Sequence, residues 1–553
     1  MNVRNGITSI AVMLSLALES IAQENYPKYW ITFTDKEYTP FSIDRPEEFL
    51  SARAIERRSK QGIAITEEDL PVDPGYLRQI SKKGIRILNT SRWFNGALVE
   101  LSDPHYLDTL QALNFVGPEI ILVKPEITDT FFKEYSYGLK SVSQPWDMQY
   151  GHSYNQIAML HGEMLHERGF RGEGMLIAIL DAGYTNANSI SSLAHIWEDD
   201  RVLAVKDVVR NESTLYTNHD HGTIIFSILA GEDPGVLIGT APDATYALIR
   251  TEDADTEFLI EEYYWICGAE YADSIGADII NSSLVYVNFN DTAQDHRYSD
   301  LDGQTAPASK AASKAAGKGI LIVNGAGNFG NQEWYTIGVP ADADSILTVG
   351  ATDPFGVIRG FSSRGPSYDG RIKPDVVAQG YYTISQEPDG DYFFSAGTSV
   401  ATPIITGLAA CLWQANPQRD NMEIIEAIRK SASQYFTPDS VYGYGIPDMF
   451  KADWMLRYPK ESEENECVSF RLFPNPAIEQ FYLQIDRQNH LNDESVTLRF
   501  YDLFGNLWKQ ETRQIEGQQF ILEFRDISNL SKQLYILEIQ LSGEEYSLLF
   551  SKR

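Results

Sequence analysis

The chain has 553 residues, more than one hydrophobic core ordinarily holds, so several folding units are expected. Hydrophobic residues make up 43% and charged residues 22%, the balance of a folding globular protein rather than a disordered one. A formal charge of -32 runs against the clustered Lys and Arg that a phosphate backbone selects, so nucleic acid is not expected as a partner.

The first residues carry Arg4, an apolar stretch from Ile7 to Leu18, and a small-x-small site at Ser20, Ile21 and Ala22, the pattern of a secretory signal peptide over 1–22. No other stretch approaches the ~18 apolar residues of a membrane-crossing helix, so an exported, soluble protein without a transmembrane segment is expected. Cys267, Cys411 and Cys467 are too few for a disulfide framework, and none has a Cys-x-x-Cys or nearby His partner for metal. Cys411, inside "LAACLW", reads as a buried helix residue.

Residues 23–150 mix strand-like pieces ("YWITFTD", "ALVELS", "EIILVKP") with helical ones ("FLSARAIERRSKQG", "YLRQISKKG"), a small α+β unit with a polar, aperiodic exit beginning near 130. From 151 to 457 the pattern becomes short apolar runs ending in Gly, Asn or Asp and alternating with helices: "MLIAILDAG", "ATYALIRTED", "ADIINSSL", "GILIVNGAGN", "SILTVGATD" and "KPDVVAQG". This is the signature of an α/β domain with a central parallel sheet covered on both faces, whose chemistry gathers at the carboxyl ends of the strands. An acidic linker at 458–466 precedes alternating strands with Gly, Asn and Asp turns over 467–553, an all-β, sandwich-like module.

Four side chains stand where those strands and helices begin or end. Ser399, in "SAGTSVATP", precedes an apolar helical run, and its hydroxyl becomes a nucleophile only beside a base. His221, in "NHDHGTIIFSILAG", starts another helix; Asp181 ends the strand "MLIAILDAG", where a carboxylate is costly unless hydrogen-bonded; Asn328, in "LIVNGAGNFG", is expected to end another strand and offers a side-chain amide. His219 lacks the following Gly-Thr and reads as a loop residue, and the glycines of "GFRGEGMLIAILD" precede their strand, which argues against a phosphate cradle.

The order Asp181, His221, Ser399, with "ILDAG", "HDHGT", "GTSVATP", "SSL" at 282–284, "GAGN" at 325–328 and "GYGIPD", resembles the subtilisin-like serine proteases. The resemblance implies a three-layer α/β catalytic fold and a serine endopeptidase that works through an acyl-enzyme, with Asp181, His221 and Ser399 as triad and Asn328 as oxyanion donor. It places Ser283, Leu284 and Val285, and Gly325, Ala326 and Gly327, along the substrate. It implies no cofactor for the chemistry, and calcium as a common structural ion for which this sequence offers no assignable ligands.

Two positions depart from the family pattern. Ala182 stands where many relatives carry Thr or Ser, and Val285 where Gly is usual, which should narrow the pocket for the residue before the scissile bond. The 23–150 unit resembles the pro-regions of subtilisin-like proteases from Bacteroidota-type bacteria, implying an intramolecular inhibitor. The tail, with "FPNPAIEQFYLQI", "YDLFGNLW" and a terminal "SKR", resembles a type IX secretion sorting domain, implying the type IX machinery as partner and a secreted or cell-surface location. A catalytically silent version of the fold and a lipase or esterase are the rival readings. The presence of all four side chains argues against the first, and the residue order and absence of a G-x-S-x-G elbow against the second.

Overall fold

A computed structural model describes residues 26–126 and 149–457 and the strand segments 468–473, 480–487, 494–502, 507–515, 519–525, 534–541 and 544–552. The signal peptide, most of the polar exit near 130–150, the acidic linker, Cys467 and the "PNP" turn lie outside the described residues. Two compact units divide between Asp453 and Trp454.

The first unit opens with β1 (Lys28–Phe33), α1 (Ala52–Lys60), α2 (Pro74–Lys82), β2 (Arg86–Ser91), β3 (Gly96–Glu100), α3 (His105–Gln111) and β4 (Val116–Lys124). The strands form an antiparallel sheet in the order β2-β3-β1-β4. Successive side chains point to opposite faces, so Ile31, Phe33, Val99 and Ala97 pack with Tyr76, Ile80 and Leu110 on one side. Trp30, Leu98 and Val123 point the other way, into a core that continues through the following domain.

That domain contains α4 (Tyr154–Ala158), α5 (Glu163–Glu167), β5 (Leu176–Asp181), α6 (Ala194–Glu198), β6 (Val202–Asp207), α7 (His221–Ala230), the short hairpin β7 (Glu232–Asp233) and β8 (Leu237–Ile238), β9 (Thr245–Arg250), α8 (Ile260–Ile275), β10 (Ile279–Ser282), α9 (Pro307–Gly317), β11 (Leu321–Gly325), β12 (Leu347–Thr352), β13 (Val376–Gln379), the hairpin β14 (Tyr381–Gln386) and β15 (Tyr392–Ala396), α10 (Thr398–Ala415), α11 (Asn421–Ser431) and α12 (Met449–Arg457). The sheet order is β13-β12-β11-β10-β5-β9-β6, every pair parallel. From β5 the chain goes out through β6 and β9 on one side and returns through β10 to β13 on the other, so the topology reverses beside β5, where Asp181 ends the strand. Leu176, Ala178 and Leu180 of β5 face α8 and α9, while α7 and α10 pack on the opposite face. The expected three-layer α/β architecture is present.

The 26–126 and 149–453 parts of this unit meet through charge as well as core. Asp273 on α8 is fully buried and receives Arg57 Nη2 at 2.5 Å, Arg58 Nη2 at 2.7 Å and Arg92 Nη2 at 2.5 Å. One turn earlier, the Glu270 carboxylate accepts the Ser91 hydroxyl and the N–H groups of Arg92 at 2.9 Å and Trp93 at 3.1 Å.

His166 on α5 is also sealed in: its Nε2–H donates to Thr240 O at 3.0 Å and its Nδ1 accepts the Tyr150 hydroxyl at 3.1 Å. Burial pushes its pKa down from 6.5 to about 4. A group depressed on folding contributes its full stability above its unfolded pKa and loses it as pH falls through the folded one. Thermal unfolding from pH 7 to 4 should therefore show a loss of order 3 kcal/mol below about 6.5, flattened in His166→Gln.

The second unit has two antiparallel sheets. One joins β16 (Val468–Phe473), β17 (Gln480–Arg487) and β20 (Gln519–Arg525), and the other β19 (Leu507–Ile515), β18 (Glu494–Tyr501), β21 (Leu534–Leu541) and β22 (Glu544–Ser551). Alternate residues of both sheets, among them Phe481, Leu483, Ile485, Val496, Leu498, Phe500, Leu537 and Ile539, fill one core, the sandwich expected from the period-two pattern.

Candidate active site

Asp181, at the carboxyl end of β5, is fully buried, and its Oδ1 accepts Nδ1–H of His221 at 2.8 Å. The approach depends on glycine. Gly222 N–H donates to Gly183 O at 3.0 Å, and a Cβ on Gly222 would collide with that same oxygen, so only glycine lets α7 begin against the turn after β5. Thr223 Oγ1 tightens the contact by donating to Thr185 O at 2.7 Å.

Ala182 carries no hydroxyl, but its N–H donates to Asp181 Oδ1 at 2.8 Å, so a backbone donor serves the carboxylate. Oδ2 is buried without a hydrogen-bond partner among the described residues. His219 sits in the loop before α7, as expected, and does more than fill it: its Nδ1 accepts the N–H of His221 at 3.2 Å. Burial, with His221 next, lowers the His219 pKa and so favours the neutral ring that such an acceptor needs.

Ser399 is the second residue of α10, half-buried, at the end whose unpaired N–H groups and dipole are positive. Its carbonyl would ordinarily accept from the residue four positions on, but that residue is Pro403, which has no N–H. The Ser283 hydroxyl takes the place, donating to Ser399 O at 2.9 Å. Ser283 is held in turn by Asn281 Nδ2 at 3.4 Å, whose Oδ1 accepts the hydroxyl of Thr406 on α10 at 2.8 Å. The strand end at 283–285 is thereby tied to the serine-bearing helix. This role of Ser283 was absent from the sequence reading, although a proline four residues after a helix-start serine signals it.

Asn328 does not end the strand as expected but stands exposed three residues beyond it, because β11 stops at Gly325. Its Oδ1 accepts Thr398 N–H at 2.9 Å and the Thr398 hydroxyl at 3.2 Å. A backbone N–H can only donate, so the oxygen must face Thr398 and Nδ2 is turned away from it. Gly397 has φ 148°, and a Cβ there would lie 2.8 Å from Ser399 Oγ and 3.5 Å from Asn328 Nδ2. Hydroxyl and amide therefore border one small space that glycine leaves open.

Of the other anticipated residues, Leu284 is buried and Val285 half-buried, its Cβ 3.2 Å from the place a Cβ on Gly338 would take. Gly325 lies against α10 near Thr402, and Gly327 N–H donates to Thr398 Oγ1 at 3.1 Å. Ala326 is fully buried, its N–H on Val349 O at 2.9 Å and its carbonyl accepting from Gly338 at 3.2 Å.

Residues 172–445 match the subtilase family model. The peptidase domain is a subtilase, and the protein is a serine-type peptidase. Around the subtilase domain, residues 28–130 match the peptidase S8 propeptide domain of Bacteroidota and residues 471–548 a secretion system C-terminal sorting domain. Among curated relatives, the thermophilic serine proteinase of Bacillus sp. (strain AK1) is 27% identical over 65% of this chain and 73% of its own. Subtilisin E of Bacillus subtilis (strain 168) is 25% identical over 66% of this chain and 83% of its own. Among solved structures, the epidermin leader peptide processing serine protease of Staphylococcus aureus shares the fold with a TM-score of 0.51 at 18% identity, covering 77% of this chain and 99% of that one.

Proposed function

We propose that the protein is a secreted serine endopeptidase in which Ser399 Oγ attacks the scissile carbonyl, His221 takes its proton and later gives it to the leaving amine, and water then hydrolyses the acyl-enzyme. The observation that carries this reading is the 2.8 Å Asp181–His221 hydrogen bond at a strand end, with Ser399 starting α10 beside Asn328. Asp181 holds the Nδ1–H tautomer, leaving Nε2 as the base. Asn328 Nδ2 and the N–H of Ser399 donate to the oxyanion. Ser283–Val285 and Gly325–Gly327 border the bound peptide.

Losing one oxyanion donor costs about 10² to 10³ in kcat, a magnitude known from subtilisin, itself a relative. Asn328→Ala should show that loss with little change in KM, measured by steady-state hydrolysis of a peptide amide; a fall confined to KM contradicts the role. The branched Val285 narrows the adjoining pocket, so a cleavage profile should favour small or medium residues before the scissile bond, and best cleavage after Phe or Tyr contradicts this.

Residues 23–150 serve as pro-region and inhibitor of the 151–457 domain, and the tail beyond the 458–466 linker routes the protein through the type IX machinery after a signal peptide at 1–22. Subtilisins commonly bind calcium. Among the described residues no group of three or more His, Cys, Asp or Glu forms a ligand set, so no residue here is assigned to that ion. The chemistry assigned to Asp181, His221, Ser399 and Asn328 calls on no cofactor.

A further inference from the structure

Beyond β9, whose last residue Arg250 pairs with Asp181, the chain passes through Glu252, Asp253, Asp255 and Glu257 before α8, which carries Glu261 as its second residue. The stretch borders the catalytic aspartate directly, since Thr251 N–H donates to Asp181 O at 2.9 Å. The peptidase domain answers these carboxylates with Arg250, whose Nη2 is 3.7 Å from Asp253 Oδ1, and Arg210, whose Nη2 is 3.6 Å from both Asp253 Oδ1 and Asp255 Oδ2.

A further cation comes from the pro-region. Lys124, the last residue of β4, is only 6% exposed; its Nζ lies 3.3 Å from Asp253 Oδ2, donates to Thr256 Oγ1 at 3.0 Å and stands 5.7 Å from the ring centroid of Phe258. Glu261 is fully buried behind them: its Oε2 accepts Asp253 N–H at 3.0 Å, and its Oε1 has no hydrogen-bond partner among the described residues. Burial, then Asp253 and Glu252, push the Glu261 carboxyl up, and Lys124 opposes them. Gln294 holds the same strand by its backbone, donating to Leu122 O at 3.1 Å while accepting Leu259 N–H at 3.0 Å. A buried ammonium needs neutralising partners. Here they all belong to the domain that remains when a pro-region is removed.

We propose that Asp253, Thr256, Phe258 and Glu261 form a subsite for a lysine or arginine side chain of a protein substrate, N-terminal to the scissile bond, which Lys124 fills before maturation. This rests on the peptidase reading above. The polarity follows from the chain, because Lys124 precedes the stretch in which the pro-region would be cut. The secreted, matured enzyme is first titrated with a fluorophosphonate and then given peptides of one scaffold with Lys, Ala or Glu in turn at each position before the bond. At one position Lys should raise kcat/KM about tenfold over Ala, with Glu slower than either. In Asp253→Asn the Lys peptide should fall to the rate of the Ala peptide; if that variant fails to mature, the wild-type order of Lys, Ala and Glu still decides. Equal rates for the three at every position, with titratable serine present, overturn the subsite alone. No titratable serine and no turnover of any peptide remove the hydrolase reading and the subsite with it.

Discussion

Ser399→Ala is expected to lower kcat for peptide hydrolysis by about 10⁶-fold, leaving a residual rate roughly 10³ to 10⁴ above water, magnitudes measured on the relative subtilisin. The size follows from the division of labour at the site. With the hydroxyl gone, His221 would have no proton to take and no acyl-enzyme would form, but on the proposed reading Asn328 Nδ2 and the backbone N–H of residue 399 would still offer donors to a carbonyl attacked by water. His221→Ala should cost about as much, because a base and its nucleophile act as one unit and their losses do not add. The double variant should thus be no slower than either single one in steady-state assays. Multiplying losses would contradict a shared step.

Asp273→Ala is expected to weaken docking of the pro-region by about 3–5 kcal/mol, because it strands buried guanidinium groups rather than removing a surface pair. Arg57, Arg58 and Arg92 all converge on this carboxylate; Arg57 and Arg58 are 4% and 1% exposed, and Asp69, 2.9 Å from Arg58 Nη1, is a second anion beside Arg58. By contrast the Lys60–Glu56 pair on α1 is open to solvent, and Lys60→Ala should leave docking unchanged within error. The comparison is made in full-length chains that also carry Ser399→Ala, so that the pro-region stays attached, by native-state hydrogen exchange of β1 and β3. Faster exchange in Asp273→Ala but not in Lys60→Ala is the expected outcome. Equal protection in both would mean that the apolar contacts of Trp30, Trp93, Leu98 and Val123 hold the interface by themselves.

The parts of the fold legible in the sequence are those with an unambiguous period. Six of the seven parallel strands are continuous apolar runs because both faces are covered, as in β5, where every residue is buried. The seventh, β6, escaped because it is an edge strand whose Leu203 and Val205 are exposed. In the pro-region β2 escaped for a related reason: "RILNTS" buries only Ser91 fully. Of the proposed site residues, Asp181 ends β5 and His221 and Ser399 begin α7 and α10, positions the sequence pattern marks; Asn328 lies three residues past β11 instead of at its end. What surrounds them was not legible, since Ser283 reaches Ser399 across 116 positions and Arg57 reaches Asp273 across 216, separations to which periodicity is blind. Arg57 and Arg58 lie in the stretch "FLSARAIERRSKQG", whose helical pattern carries no sign of their burial, which the contact with Asp273 of α8 reveals.

The most direct test is to treat the secreted protein with a fluorophosphonate and locate the adduct by peptide mass spectrometry. A single adduct on Ser399, abolished in folded His221→Ala, is the expected result, because only a serine deprotonated by that imidazole reacts at this rate. A folded protein that stays unlabelled, or one labelled at Ser399 just as fast without His221, would contradict the account.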